Sequence, residues 1–90
     1  MLIKAVKTEP AIIIKIYEKH SVLSEEVERV LKNSRTIFKK VSGNQYVAVG
    51  LGDRYITVFF EYNNKTKEAN ITTAYPSSRK QIKSYRRLMR

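Results

Sequence analysis

The last fifteen residues carry six cations and no anion: Arg79, Lys80, Lys83, Arg86, Arg87 and Arg90. Read as a helix, Arg79, Lys83, Arg86 and Arg90 fall on one stripe at spacings of four, three and four. Ile82, Tyr85 and Met89 fall on another stripe, able to face a core. A helix docked by one face and cationic on the other suits a polyanion. With a formal net charge of +10, nucleic acid is the first partner to consider. Arg54, Glu61, Tyr75 and Tyr85 add groups that could act on a phosphodiester. Cleavage of RNA by its own 2′-hydroxyl needs an acceptor for the hydroxyl proton, cations around the phosphorane and a donor for the leaving oxygen. Arginine and lysine supply the second; a carboxylate or phenol supplies the first or third. No metal is required. Each residue alone also has an ordinary explanation: Glu61 can pair with a cross-strand lysine, the tyrosines can pack, and Arg54 can sit solvated after a turn. Along an extended strand Glu61 lies roughly 20–25 Å from Arg54. Both cannot serve one phosphate, so Arg54, Arg79 and Tyr85 rank first as catalytic candidates. Lys80, Lys83, Arg86, Arg87 and Arg90 are expected to hold nucleic acid.

Other chemistries are excluded more cheaply. The chain has no cysteine and one histidine, which leaves no zinc site of the usual kind. Its three glycines, Gly43, Gly50 and Gly52, sit at or near turns and form no phosphate loop. Neither a metal nor a cofactor is therefore expected. His20 and Ser21 are adjacent and do not make a working pair. His20 reads as a helix-end residue that interacts with terminal carbonyls. Ninety residues make a single domain, 1–90, that buries about 60% of its extended surface. At 42% hydrophobic and 29% charged residues, the chain reads as a folded globule rather than a disordered tail. The longest apolar run, Ala11–Ile14, is far short of a membrane span, and the N-terminus lacks the pattern of a signal peptide. The absence of cysteine suits a reducing cytosol.

The elements that position these residues follow from periodicity. Residues 1–7 read as a short strand or a lead-in. Thr8, Glu9 and Pro10 resemble a helix start, leading into a helix over residues 10–20 with Ile12, Ile13, Ile16 and Tyr17 on one side. The isoleucine run also suits a strand. Ser24 caps a second helix with Val27, Val30 and Leu31 as its apolar stripe and Asn33 as its stop. From Thr36 the period changes to two. Strands over 36–41, 45–51, 54–62 and 67–74 are separated by short turns, which predicts an antiparallel meander. In the third of these, Ile56, Val58, Phe60 and Tyr62 share one face, with Tyr55, Thr57, Phe59 and Glu61 on the other. Richness on both faces predicts a central strand. Pro76, Ser77 and Ser78 then launch the basic helix. The expected fold is α+β: two N-terminal helices, a four-stranded, mainly antiparallel sheet and a C-terminal basic helix, with the helices on one sheet face.

In this order the motifs resemble those of BrnT-type toxins. The run Glu18-Lys19-His20-Ser21-Val22, followed by Ser24 to Leu31, is similar to their "KHgV…EEvxxVL" opening. Tyr46 to Gly50 resembles "r-Y-v-a-i-G", and Arg54 to Phe60 resembles "R-x-l-x-V-v-f". Ile71 to Ala74, with Arg79 and Tyr85 following, resembles "I-i-s/t-A-r…R-x-x-x-x-Y". The resemblance spans about residues 16–87. It implies the RelE-like fold and the toxin half of a type II toxin–antitoxin pair: a cytoplasmic RNA endonuclease. The implied partners are RNA and a cognate antitoxin, often with a ribbon-helix-helix part. A dimer and a toxin–antitoxin hetero-oligomer both stay open. Residue by residue, the match points to Arg54, Arg79 and Tyr85. The chain departs from the pattern in its MLIKAVKTEP opening without tryptophan, and in Tyr75, which stands where a basic residue is expected. Two alternatives remain: a non-catalytic nucleic-acid-binding protein using the same helix, and an interaction protein whose basic face meets an acidic partner.

Overall fold

The computed structural model describes residues 1–89; Arg90 lies outside the described residues. Along the chain run β1 (Ala5–Lys7), α1 (Pro10–His20), α2 (Ser24–Lys32), β2 (Ile37–Ser42), β3 (Gln45–Leu51), β4 (Tyr55–Asn63), β5 (Glu68–Pro76) and α3 (Arg79–Leu88). The strands make one sheet in the order β1-β5-β4-β3-β2. β2 to β5 form the expected antiparallel meander, with β4 inside it.

The sheet has five strands rather than four, and it is mixed. β1 pairs in parallel with the start of β5, Val6 opposite Ala69. Three residues are too few to show a period, and the partner strand lies more than sixty residues away, so nothing local announces the pairing. Lys7 Nζ fixes it by an ion pair with Glu68 Oε2 at 2.9 Å. The Tyr62 hydroxyl donates to the Leu2 carbonyl and anchors the lead-in.

The isoleucine run of residues 12–14 is helical. Pro10 at the first turn and the Glu9 carbonyl, which accepts from Ile12 and Ile13, start α1; no side chain caps it, and Thr8 plays no part in that start. Ile16 is buried and Ile12 half-buried, whereas Ile13, Ile14 and Tyr17 are exposed, so the buried stripe is narrower than expected. Ser21, left-handed at φ 53°, ends the helix. In α2 the start shifts by one residue. Leu23 is the capping position and Ser24 the first helical residue. The orphan Leu23 amide is satisfied by Glu26 Oε2 at 2.9 Å. Val27, Val30 and Leu31 are buried as the stripe requires.

Strand alternation divides the sheet into two faces. Ala48, Ile56, Val58, Phe60, Tyr62, Ala69, Ile71 and Ala74 join Ile16 and the apolar stripe of α2 in the main core. β3 approaches α2 closely at Gly50: a Cβ there would collide with Thr36 Oγ1 and meet Val30 Cγ1 at 3.0 Å. Residues paired across the second face form rows. One is Ile37, Val49, Thr57 and Tyr75; the next is Lys39, Val47, Phe59 and Thr73. α3 packs on this second face, through Thr57 and Tyr55, and not beside α1 and α2 as the single-layer expectation had it. The reason lies in β4, whose second face holds Tyr55 and Thr57, residues that need cover or polar partners of their own.

Candidate nucleic-acid interface

α3 begins at Ser78, whose hydroxyl accepts from the Gln81 amide at 3.2 Å, while Gln81 Oε1 accepts from the Ser78 amide at 2.8 Å. This reciprocal cap satisfies two backbone donors at once. The same glutamine side chain docks the helix. Its Oε1 also accepts from the Thr57 hydroxyl at 3.0 Å, and its Nε2 donates to the Tyr75 hydroxyl at 2.9 Å. With its one proton committed to Gln81, Thr57 accepts from Ser77 across their 2.7 Å contact. Tyr75 accepts from Gln81, so its own hydroxyl proton remains available to another acceptor. Thr57 is fully buried, which makes this network a strong constraint on where α3 sits.

Further along α3, Tyr85 is buried. Its ring meets Tyr55 edge-on with centroids 5.5 Å apart, and its hydroxyl donates to the Arg35 carbonyl at 3.1 Å. Tyr85, a catalytic candidate in the sequence, thus has its ring packed and its hydroxyl proton engaged by backbone. Ile82 is half-buried on the same side.

The opposite side of α3 is cationic. Arg79, Lys80, Lys83, Arg86 and Arg87 are all exposed. Arg86 lies over the Tyr55 ring, 5.7 Å from its centroid. Among the described residues, the ion pairs are Lys7–Glu68, Arg29–Asp53 and Arg54–Glu26, and none involves α3. Two of these cations are placed against local electrostatics. Arg79 and Lys80 sit in the first turn, which holds no acidic residue, at the positive end of the helix dipole. Arg86 and Arg87, in the last turn, are favourably placed.

Arg54 stands apart from this surface by its bonding. Its Nε donates to Glu26 Oε1 at 2.9 Å, and its Nη2 to Glu26 Oε2 at 3.2 Å and to the Ser21 carbonyl at 2.6 Å. The left-handed Ser21 turns its carbonyl to this guanidinium, so Arg54 ties β4 to the corner between α1 and α2. The guanidinium holds the Glu26 carboxyl below the usual carboxylate range, chiefly through its hydrogen bond. Its own pKa is raised in return by that same bond. Glu61, at the far end of β4, accepts from Asn44 Nδ2 at 2.8 Å and takes no part in this region.

Two aromatic contacts extend the docking network. The Tyr75 ring stacks on Phe59 at 6.1 Å and an interplanar angle of 29°, and also meets the His20 ring at 5.8 Å. His20 ends α1, where Lys15 and Lys19 line a cleft with Thr72 and Thr73 of β5. Sequence reasoning took His20 as a helix-end residue. Tyr75 it included in the phosphodiester cluster but left out of the first rank. The pairing of Thr57 with Tyr75 follows from counting residues back from the Asn63–Thr66 turn, offset by the bulge after Phe59. That count was the one available signal, and the bulge obscures it.

No protein-family model matches the chain, and no curated protein matches its sequence. In fold it is similar to the crystal structure of the Brucella abortus ribonuclease toxin BrnT. The TM-score is 0.67 and the identity 14%, over 83% of this chain and 97% of that one. At that identity the likeness establishes the architecture, a BrnT-type toxin fold. No helix of the described residues is long and apolar enough to cross a membrane.

Proposed function

We propose that this chain is the toxin of a type II toxin–antitoxin pair and an endoribonuclease that binds single-stranded RNA across α3. The observation that carries the reading is the placement of Arg79 and Lys80. Two exposed, unpaired cations at the positive end of a helix dipole cost stability, and an RNA phosphate there relieves the cost. Lys83, Arg86 and Arg87 extend the same surface along the helix. Arg90 lies outside the described residues, and its role stays as the sequence suggested.

In this reading the 2′-oxygen attacks the adjacent phosphorus, the bond to the 5′-oxygen breaks, and a 2′,3′-cyclic phosphate is left. Arg79 and Lys80 stabilise the charge on the phosphorane. Imidazole and phenol both carry transferable protons; Tyr75 is bonded to Gln81 at the start of α3, and the His20 ring meets that of Tyr75. One accepts the 2′-hydroxyl proton and the other donates to the leaving oxygen. Arg54 and Tyr85 serve as braces: Arg54 holds the α1–α2 corner, and Tyr85 seats α3. The partner of the pair is a cognate antitoxin, of ribbon-helix-helix type on the motif resemblance, and the compartment is the cytoplasm. A solved BrnT ribonuclease toxin of the same fold supports the reading.

Non-catalytic RNA binding is the second reading. It takes Arg54 and Tyr85 as engaged by other protein groups and uses the same cationic helix to hold RNA. One experiment separates the two. Purified protein is incubated with end-labelled RNA, with and without EDTA, and the product ends are identified. The first reading expects cleavage in EDTA with cyclic or 3′-phosphate ends, lost in Tyr75→Phe or His20→Ala. Salt-sensitive binding without cleavage selects the second.

A further inference from the structure

On the sheet's second face, the row next to the docking contacts of α3 is largely half-buried and has a composition that core packing does not explain. The hydrogen bonds and aromatic contacts of α3 fall on Thr57, Tyr75 and Tyr55, and the neighbouring row is Lys39, Val47, Phe59 and Thr73. Phe59 is half-buried there, on the central strand, and belongs to no part of the main core. Its ring is stacked with Tyr75, and Tyr75 is held in turn by Gln81 at the start of α3. Cations lie on the adjoining elements, and the carboxylate two residues along β4, Glu61, accepts from Asn44. Arg79 and Lys80 begin α3, Lys39 ends the row, and Lys15 and Lys19 line the cleft beside Thr73. An aromatic pair with cations on the adjoining elements meets the two requirements of a single-stranded nucleic acid: a flat apolar surface for a base and positive charge for its backbone.

From this we infer that Phe59, backed by Tyr75, is a stacking platform for a nucleobase next to the phosphate held at the start of α3. The inference rests on the RNA-binding reading above and deepens it. It assigns a base subsite to the sheet, whereas that reading places only the backbone. Charge complementarity selects the occupant: single-stranded RNA is anionic and carries flat bases, and the chain's net charge is +10. Stacking tolerates any base, so the platform grips RNA without fixing its sequence. Double-stranded RNA keeps its bases stacked inside the helix and gains nothing from it.

The test measures binding of a fluorescent eight-nucleotide single-stranded RNA, of the same backbone carrying abasic sites, and of duplex RNA. Phe59→Leu keeps the apolar volume and removes the ring face; its thermal midpoint is measured beside its binding. The expected result is about 5- to 100-fold weaker binding of the single strand by Phe59→Leu. Binding of the abasic strand and of the duplex should be unchanged between the two proteins. Phe59→Tyr, which keeps the ring, should bind as the wild type does. Wild-type affinity of folded Phe59→Leu for the single strand overturns the platform while leaving backbone binding by α3 intact. An equal loss for all three probes also overturns it, since the effect would then lie in the backbone surface. If the wild type binds no single-stranded RNA, both the platform and the reading beneath it fail. Unchanged RNA binding together with lost binding of the protein encoded beside this chain would assign the face to a protein partner instead.

Discussion

Arg54 ties the central strand to the corner between α1 and α2. A basic residue at the start of the central strand suits a phosphate site, yet three of its hydrogen bonds go to Glu26 and to the Ser21 carbonyl. Glu26 itself satisfies the Leu23 amide, so one carboxylate joins a helix cap, a corner and a strand. Glu26→Gln should therefore destabilise the protein by about 1–2 kcal/mol at neutral pH, the lower part of the range for charge-assisted bonds because Arg54 is partly solvated. The pH dependence has a definite sign. The folded-state pKa of Glu26 lies below its unfolded value, so the contribution is complete above the unfolded value, about 4.3. It is lost as pH falls through the lowered folded value. Urea titrations of the two proteins should differ at pH 7 and converge in strong acid. A constant difference across that range would mean that the ion pair is not its source.

At the scale of elements, α3 holds the opposing demands of stability and binding. Its cap and its docking both run through Gln81, which joins Ser78, Thr57 and Tyr75. Its first turn nevertheless carries Arg79 and Lys80 where acids would be favoured. The double variant Arg79→Glu, Lys80→Glu should raise stability at low salt, by roughly 0.3–1 kcal/mol per site. The same variant should lose RNA affinity. Thermal melts and fluorescence anisotropy on one preparation check both outcomes together. A drop in stability would mean that the two cations support the fold rather than wait for a phosphate. Neither the cap nor the cationic stripe is hidden in the sequence: Ser78, Gln81 and the lysine and arginine spacing are local. The docking partners Thr57 and Tyr75 are not, because a helix pattern says which face is buried and not against what.

For the whole molecule, the charge sets the behaviour expected with RNA. Single-strand binding should weaken with salt on a log–log slope of about −0.7 for each phosphate neutralised. Replacing Arg79, Lys83 and Arg86 together by alanine should flatten that slope by about two units. An unchanged slope would place those charges outside the interface. The types of six of the eight elements, the antiparallel meander and the basic helix follow from sequence alone, because each depends on side-chain period and turn residues over a few positions; residues 10–20 suited helix and strand alike. The tertiary structure alone decided the rest. It added β1 to the sheet, moved α3 to the face opposite α1 and α2, joined Arg54 to Glu26 across 28 residues and Tyr85 to Arg35 across 50. It also brought His20, at the end of α1, against Tyr75 in β5. These are pairings between distant segments, selected by which buried polar groups and aromatic rings satisfy one another when the layers close. Local pattern does not carry that information, since any strand face of the same composition would read alike.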